Sequence, residues 1–299
     1  MTADGPNPFL ELLASGRTVL ADGAMGTTLM ASGLEPGEVP ETWNVRPDRR
    51  ERVKAVHAGY VDAGSNVVLT NTFGGSPIRL RIHDLSARAY ELNRAAAELV
   101  REVTGRDAVV AGSMGPVGEF IAPLGTLTPE EAREAFAVQA TALADGGVDV
   151  LWIETMADLA EVTAAVEGAR QAAPHLPIVA TMTFDSHGRT MMGTWPRDAA
   201  PALAALGVVA FGANCGTGPA EIENAIEAMH AAAPDAVLIA KGNAGVPRFV
   251  GISTVFDMTP EMAAVHARRA HALGARIIGG CCGTTPAHIR AMAAALASE

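Results

Sequence analysis

Eight short apolar segments alternate with helix-forming stretches along nearly all of the 299 residues, and this predicts an α/β chain folded as a single (β/α)8 TIM barrel. Two further observations support that fold class. The segments are apolar at almost every position rather than at alternate ones, as in parallel strands buried on both faces. Their span also suits a barrel, for which ~250 residues is usual. The rival, a doubly wound open sheet, calls for a G-x-G-x-x-G turn after the first strand, and "ADGAMGTT" (21–28) does not supply one. No linker rich in Pro, Ser or charge interrupts the pattern, so one domain is expected over residues 1–299.

In chain order, the first predicted strand is "TVLADGA" (18–24), and a long loop over the barrel mouth is expected at 30–45. The helical pattern "RERVKAVHAGYVDAG" (50–64) leads to the second strand, "NVVLTNTF" (66–73). The amphipathic "ARAYELNRAAAELVREVTG" (87–105) leads to the third, "AVVAGSMG" (108–115). "TPEEA" (128–132) is a helix start, with Thr placed to accept from first-turn amides and Pro at the first helical position. "VDVLWIET" (148–155), "PIVATMTF" (177–184) and "VVAFGANCG" (208–216) are the fourth to sixth strands. The helix "PAEIENAIEAMHAAAP" (219–234) precedes the seventh, "AVLIAKGNAG" (236–245). A second Thr-Pro start opens "PEMAAVHARRAHALG" (260–274), the eighth strand is "ARIIGGCCG" (275–283), and "TPAH" (285–288) starts the last helix.

Bulk properties exclude several function classes. A net charge of −11 argues against a nucleic-acid partner, because phosphates would be repelled over most of the surface. No apolar run approaches the ~18 residues needed to span a bilayer. The start "MTADGPNPFLELL" has no basic region followed by an apolar block, so no export signal is read there. Three cysteines cannot pair off completely and point to a reducing compartment, so a cytoplasmic location is expected. The sequence is compatible with an oligomer.

In a barrel of this class the active site lies at the C-terminal ends of the strands. Those ends carry Asp22, Asn71, Thr72, Ser113, Glu154, Thr183, Asn214, Cys215, Asn243, Cys281 and Cys282. All three cysteines fall at the ends of the sixth and eighth strands, which only one strand separates. The glycines of "GANCG" and "GGCCG" let the backbone bend so that two adjacent thiols turn toward one centre. Three thiolates suit Zn2+, and with no His at a strand end the fourth position is left for an exogenous ligand. One zinc per chain, held by Cys215, Cys281 and Cys282, is the expected metal site. Each other strand-end residue has a plainer role open to it. Asp22 and the asparagines can accept or satisfy loop backbone, and Trp43 can pin the 30–45 loop to the rim.

The segments "ADGAMGT", "NTFG", "GANCG", "GNAG" and "IGGCCGTTPAHI" resemble the signature segments of the zinc-dependent homocysteine S-methyltransferases. That family includes betaine–homocysteine methyltransferases and the homocysteine-binding module of cobalamin-dependent methionine synthase. The resemblance runs in the same order from about residue 18 to 292. It implies a (β/α)8 barrel in which homocysteine sulfur completes the coordination of zinc on Cys215, Cys281 and Cys282. It also implies that Glu154 and Asp22 lie against the amino-acid part of the substrate. Gly23, Ala24, Thr27, Asn71 and Asn214 belong to the same implied substrate site.

The small-molecule partners are then homocysteine and a methyl donor. Trp43 ("ETWNV") matches a donor-side Trp of the betaine enzymes and is expected to form one wall of an onium site. Two tyrosines of the animal betaine enzymes appear here as Gly74 and Thr155, with Phe120 and Trp195 as aromatics on neighbouring loops. "KGNAGVP" and "IETM" are equally at home in methionine synthase, so a separate corrinoid protein is the alternative methyl source. A non-enzymatic reading also stands: a zinc store or redox switch built on the vicinal cysteines.

Overall fold

The computed structural model describes residues 5–250 and 253–297. Eight parallel strands form one sheet: β1 (Val19–Leu20), β2 (Val67–Leu69), β3 (Val109–Met114), β4 (Val150–Met156), β5 (Ile178–Met182), β6 (Ala210–Cys215), β7 (Leu238–Gly242) and β10 (Ala275–Gly280). The spatial order is β1-β10-β7-β6-β5-β4-β3-β2, and a parallel bridge from Ala21 to Val67 joins the two ends. The sheet is therefore a closed barrel. Every predicted strand is present, each shorter than the run that predicted it, and only β4 reaches past its expected end, by one residue to Met156.

Two layers of apolar contact hold it. Inward-facing side chains alternate along each strand. Val19, Val67, Val109, Val150, Trp152, Val179, Ile239 and Ile277 share the barrel interior with Phe9, whose helix α1 (Pro8–Ala14) lies at the N-terminal end. There the Asn7 side chain donates to the Asp149 carbonyl just ahead of β4. Leu151, Ile153, Leu238 and Ile278 point outward into the larger core under the helices. The three Thr-Pro starts are confirmed: Thr128, Thr259 and Thr285 each precede a helix, and Thr128 forms a reciprocal capping box with Glu131.

Two features depart from the expected outline. The 30–45 segment is tied down rather than free, ending in a 3-10 turn at Pro40–Asn44 that buries Glu41, Trp43 and Asn44. A two-stranded antiparallel hairpin, β8 (Arg248–Val250) with β9 (Ser253–Val255), follows β7. Among the described residues no helix is long and apolar enough to cross a membrane.

Period-two alternation also sets the top of the barrel interior. Continuing inward from Ala111 gives Ser113, from Trp152 gives Glu154, and from Ile239 gives Lys241.

Candidate active site

Cys215 ends β6, and Cys281 and Cys282 follow β10. The three sulfurs lie within 4.8 Å of one another. Cys215 adopts φ +63°, a left-handed conformation that costs a non-glycine residue energy and persists where surroundings impose it. Asn243 imposes it from between the two cysteine loops. Its Oδ1 accepts from the Cys282 N–H at 2.9 Å, and its Nδ2 donates to the Gly216 carbonyl at 2.6 Å. The Ala244 N–H donates to the Cys282 carbonyl at 2.8 Å, and the Cys281 N–H to the Gly242 carbonyl at 2.8 Å. Gly280 is required, because a Cβ there would stand 2.2 Å from Thr284 Oγ1.

So close together, the three sulfurs share their protons unequally: the neighbouring thiols hold Cys215 well below the ordinary thiol range, and Cys215 in turn pushes Cys281 and Cys282 up. A divalent soft cation would take the place of those protons. The donor set, three partly buried sulfurs converging on one point, fits Zn2+.

Beside the sulfurs lies a charged layer. Lys241 Nζ donates to Asp22 Oδ1 at 2.8 Å with both side chains nearly fully buried, and the Leu69 N–H donates to Asp22 Oδ2 at 2.7 Å. The same ammonium sits 5.5 Å from the Trp152 ring centroid. Burial pushes Asp22 up while Lys241 pulls it down; burial opposes the Lys241 charge, but Asp22 and Glu154 outweigh it and hold that pKa above the ordinary lysine value. Glu154 accepts from Ser113 Oγ at 2.5 Å. Burial pushes its carboxyl up to about 7 against the pull of Lys241. A carboxylate raised in this way lacks a full cationic partner, so it can accept one.

The other predicted residues divide between contact and scaffold. The turn after β1 packs against the Cys281–Cys282 loop: the Ala24 N–H donates to Thr284 Oγ1 at 3.1 Å, and Thr27 Oγ1 accepts from the Gly283 N–H at 3.1 Å. A Cβ on Gly23 would stand 2.7 Å from Thr284 Oγ1, so only glycine allows that approach. Asn214 is fully committed. Its Oδ1 accepts from the Thr155 N–H and Thr181 Oγ1, and its Nδ2 donates to Thr155 Oγ1 and faces Cys281 Sγ at 3.8 Å. Asn71 donates to the Pro40 carbonyl and to Asn44 Oδ1, which fastens the 40–44 turn. Trp43 is not on the mouth. Its ring is completely buried, with the guanidiniums of Arg49 and Arg52 at 4.9 and 5.8 Å, so no face is open to a cationic donor in this structure. The ring fills the space under the loop because an indole gains more from burial than from capping a wet rim.

Sequence reasoning passed over Lys241 as a site residue and left Asn243 as a backbone-satisfying residue. A lysine inside "VLIAKGNAG" was a usable signal, since a buried lysine almost always has a partner.

The profile of the homocysteine S-methyltransferase family matches residues 19–296. Methionine synthase of Mycobacterium tuberculosis is 35% identical over 97% of this chain, which spans 25% of that protein. The methionine synthase of Mycobacterium leprae gives the same identity and the same shares. This chain thus spans about a quarter of the curated relatives it matches. Among solved structures, the oxidized form of an Escherichia coli homocysteine methyltransferase superimposes with a TM-score of 0.79 at 28% identity, covering 97% of this chain and 99% of the other. Its metallated form gives 0.76 at 29%, covering 96% and 99%.

Proposed function

The chain belongs to the homocysteine S-methyltransferase family, and from that premise we propose that it methylates homocysteine to methionine on a zinc centre, with a small onium compound such as betaine as methyl donor. The observation that carries this reading is the meeting of three cysteine sulfurs with Glu154, Asp22 and Lys241 at one end of the barrel. A store or redox switch needs the sulfurs alone, whereas an amino-acid substrate needs both.

Cys215, Cys281 and Cys282 would hold the metal, and zinc supplies a Lewis acid that keeps the substrate thiol ionised. A free thiol of pKa ~8.5 is only a few per cent thiolate at pH 7, so ionisation contributes at most about 2 kcal/mol. Alignment must contribute more, up to ~7–11 kcal/mol. Glu154 provides it by pairing with the substrate ammonium, while Asp22 stays tied to Lys241 and the Leu69 N–H. The sulfur lone pair forms the new S–CH3 bond as the methyl–onium bond breaks. Its electron pair stays with the donor, which leaves as a neutral amine or thioether.

The test is metal analysis with substrate binding. Purified protein should contain one zinc per chain, and Cys215→Ala combined with Cys282→Ala should abolish it; unchanged zinc in that variant sinks the assignment. The identity to methionine synthases favours a second donor, a methylated corrinoid on a separate protein. Methionine formed from methylcobalamin, but from none of betaine, dimethylsulfoniopropionate and S-methylmethionine, would select it.

A further inference from the structure

The end of β4 carries a bulge at Glu154. Ile153 pairs with Ala180 and Met156 with Met182, so Glu154 and Thr155 together oppose the single residue Thr181. A bulge leaves its extra residue outside the ladder and re-aims the side chains beside it, which is why bulges recur next to active sites. Thr155 takes φ +63° there, a left-handed conformation that a β-branched residue keeps only where its surroundings impose it.

Asn214 imposes it, reaching across from β6. The side chain is fully buried and continues the inward-facing row of Ala210 and Gly212. Its Oδ1 accepts from the Thr155 N–H at 2.8 Å and from Thr181 Oγ1 at 2.7 Å. Because a backbone N–H can only donate, the amide oxygen must face Thr155, and the orientation of the side chain is settled. The two Nδ2 protons are then directed at Thr155 Oγ1, 2.7 Å away, and at Cys281 Sγ, 3.8 Å away. Both acceptor and both donor positions of the amide are filled. The next residue in the chain, Cys215, is the other left-handed position at this rim. One asparagine thus adjoins the bulge that carries Glu154, one sulfur through its amide and a second through the backbone.

We propose that Asn214 is a positioning residue that fixes the three-sulfur metal site relative to Glu154, and so sets the length of the amino acid that can span them. The role rests on the methyltransferase reading, in which the substrate sulfur goes to the metal and its ammonium to Glu154. Two contacts held at a fixed separation select by chain length, since a shorter amino acid reaches one or the other. Homocysteine and cysteine differ by one methylene, which a site can discriminate by about 10–200-fold. On the sulfur side, a hydrogen bond to an ionised thiol draws charge from it, and an amide is a donor that no change of pH removes.

The test compares wild type with Asn214→Ala, which removes all four bonds, and Asn214→Asp, which keeps an acceptor for Thr155 and Thr181 but has no proton for Cys281. Calorimetry gives the affinity of each zinc-loaded protein for homocysteine and for cysteine. Loading with Co2+ instead gives the sulfur-to-metal charge-transfer band, which responds to the sulfur and not to overall stability. Wild type should prefer homocysteine at least tenfold, and each variant should lose roughly tenfold of that preference. The band should move to longer wavelength in both, because a sulfur without its N–H gives up an electron more easily. An unshifted band, or a loss of affinity that leaves the preference for homocysteine intact, in either folded variant overturns the proposal. Wild type that binds both amino acids alike overturns it too, while leaving the methyltransferase reading in place. Absence of homocysteine binding to zinc-loaded wild type overturns that reading and the role of Asn214 with it.

Discussion

Two carboxylates at the barrel mouth divide the work at the scale of single residues. Asp22 has both oxygens occupied, by Lys241 and by the Leu69 N–H, whereas Glu154 has one light partner, Ser113. In the proposed function the substrate ammonium pairs with Glu154, where a charge-assisted hydrogen bond would contribute about 1.5–3 kcal/mol. Glu154→Ala should weaken homocysteine binding roughly tenfold to a hundredfold with zinc retained; wild-type affinity by calorimetry would show the assignment to be wrong. The pH dependence follows with a definite sign. Burial raises Glu154 to about 7, so below that pH a proton must leave it before the ammonium can pair. The thiol also gives up a proton on binding. Log affinity should then rise about twice as steeply below pH 7 as just above it, and Glu154→Gln should show the shallower slope throughout. Lys241 makes a different prediction. Lys241→Met strands a buried Asp22 charge and should cost about 3–5 kcal/mol in denaturant unfolding, most of it recovered by adding Asp22→Asn. A double variant no more stable than the single would mean that the pair is not coupled.

Among the elements, β7 clamps the site. It lies between β6 and β10, and Asn243 just beyond it bonds the backbone on both sides. Asn243→Ala leaves all three sulfurs in the chain but frees both loops, and outer supports of this kind typically cost 10–100-fold in metal affinity. A chelator competition showing unchanged zinc affinity would refute the clamp. The eight strands were legible in the sequence because parallel strands buried on both faces must be apolar throughout, and the cysteine loops because glycines flank them. The same uniformity hid the partner of Lys241. When both faces of a strand are apolar, alternation no longer tells which residues point inward, so its pairing with Asp22, two strands away, could not be read. The hairpin of β8 and β9 was missed because its segments are short and carry no run of apolar residues. Trp43 was misplaced for a tertiary reason. Its Pro- and Glu-rich surroundings read as a surface loop, and only the folded chain shows the 40–44 turn fastened down by Asn71.

For the whole molecule, a metal held by the three sulfurs would couple strands that are remote in sequence, so that folding and binding would reinforce each other. The three-sulfur site exists only when β6 and β10 are assembled on either side of β7. The unfolded chain offers a vicinal pair and a distant third thiol, a far weaker ligand. Chelation should therefore lower the melting temperature. On the proposed function, homocysteine should add a second increment that requires the first, its sulfur on the metal and its ammonium on Glu154. At 100 times its dissociation constant it should add ~2.7 kcal/mol, or roughly 4 °C for a chain of this size. Cysteine, one methylene shorter, cannot make both contacts at once and should add little. The four-way comparison, zinc-loaded and metal-free protein with each amino acid, separates catalysis from storage. A thiol store would respond to both amino acids alike, and a substrate site built from the sulfurs and Glu154 responds to homocysteine alone, only when zinc is present.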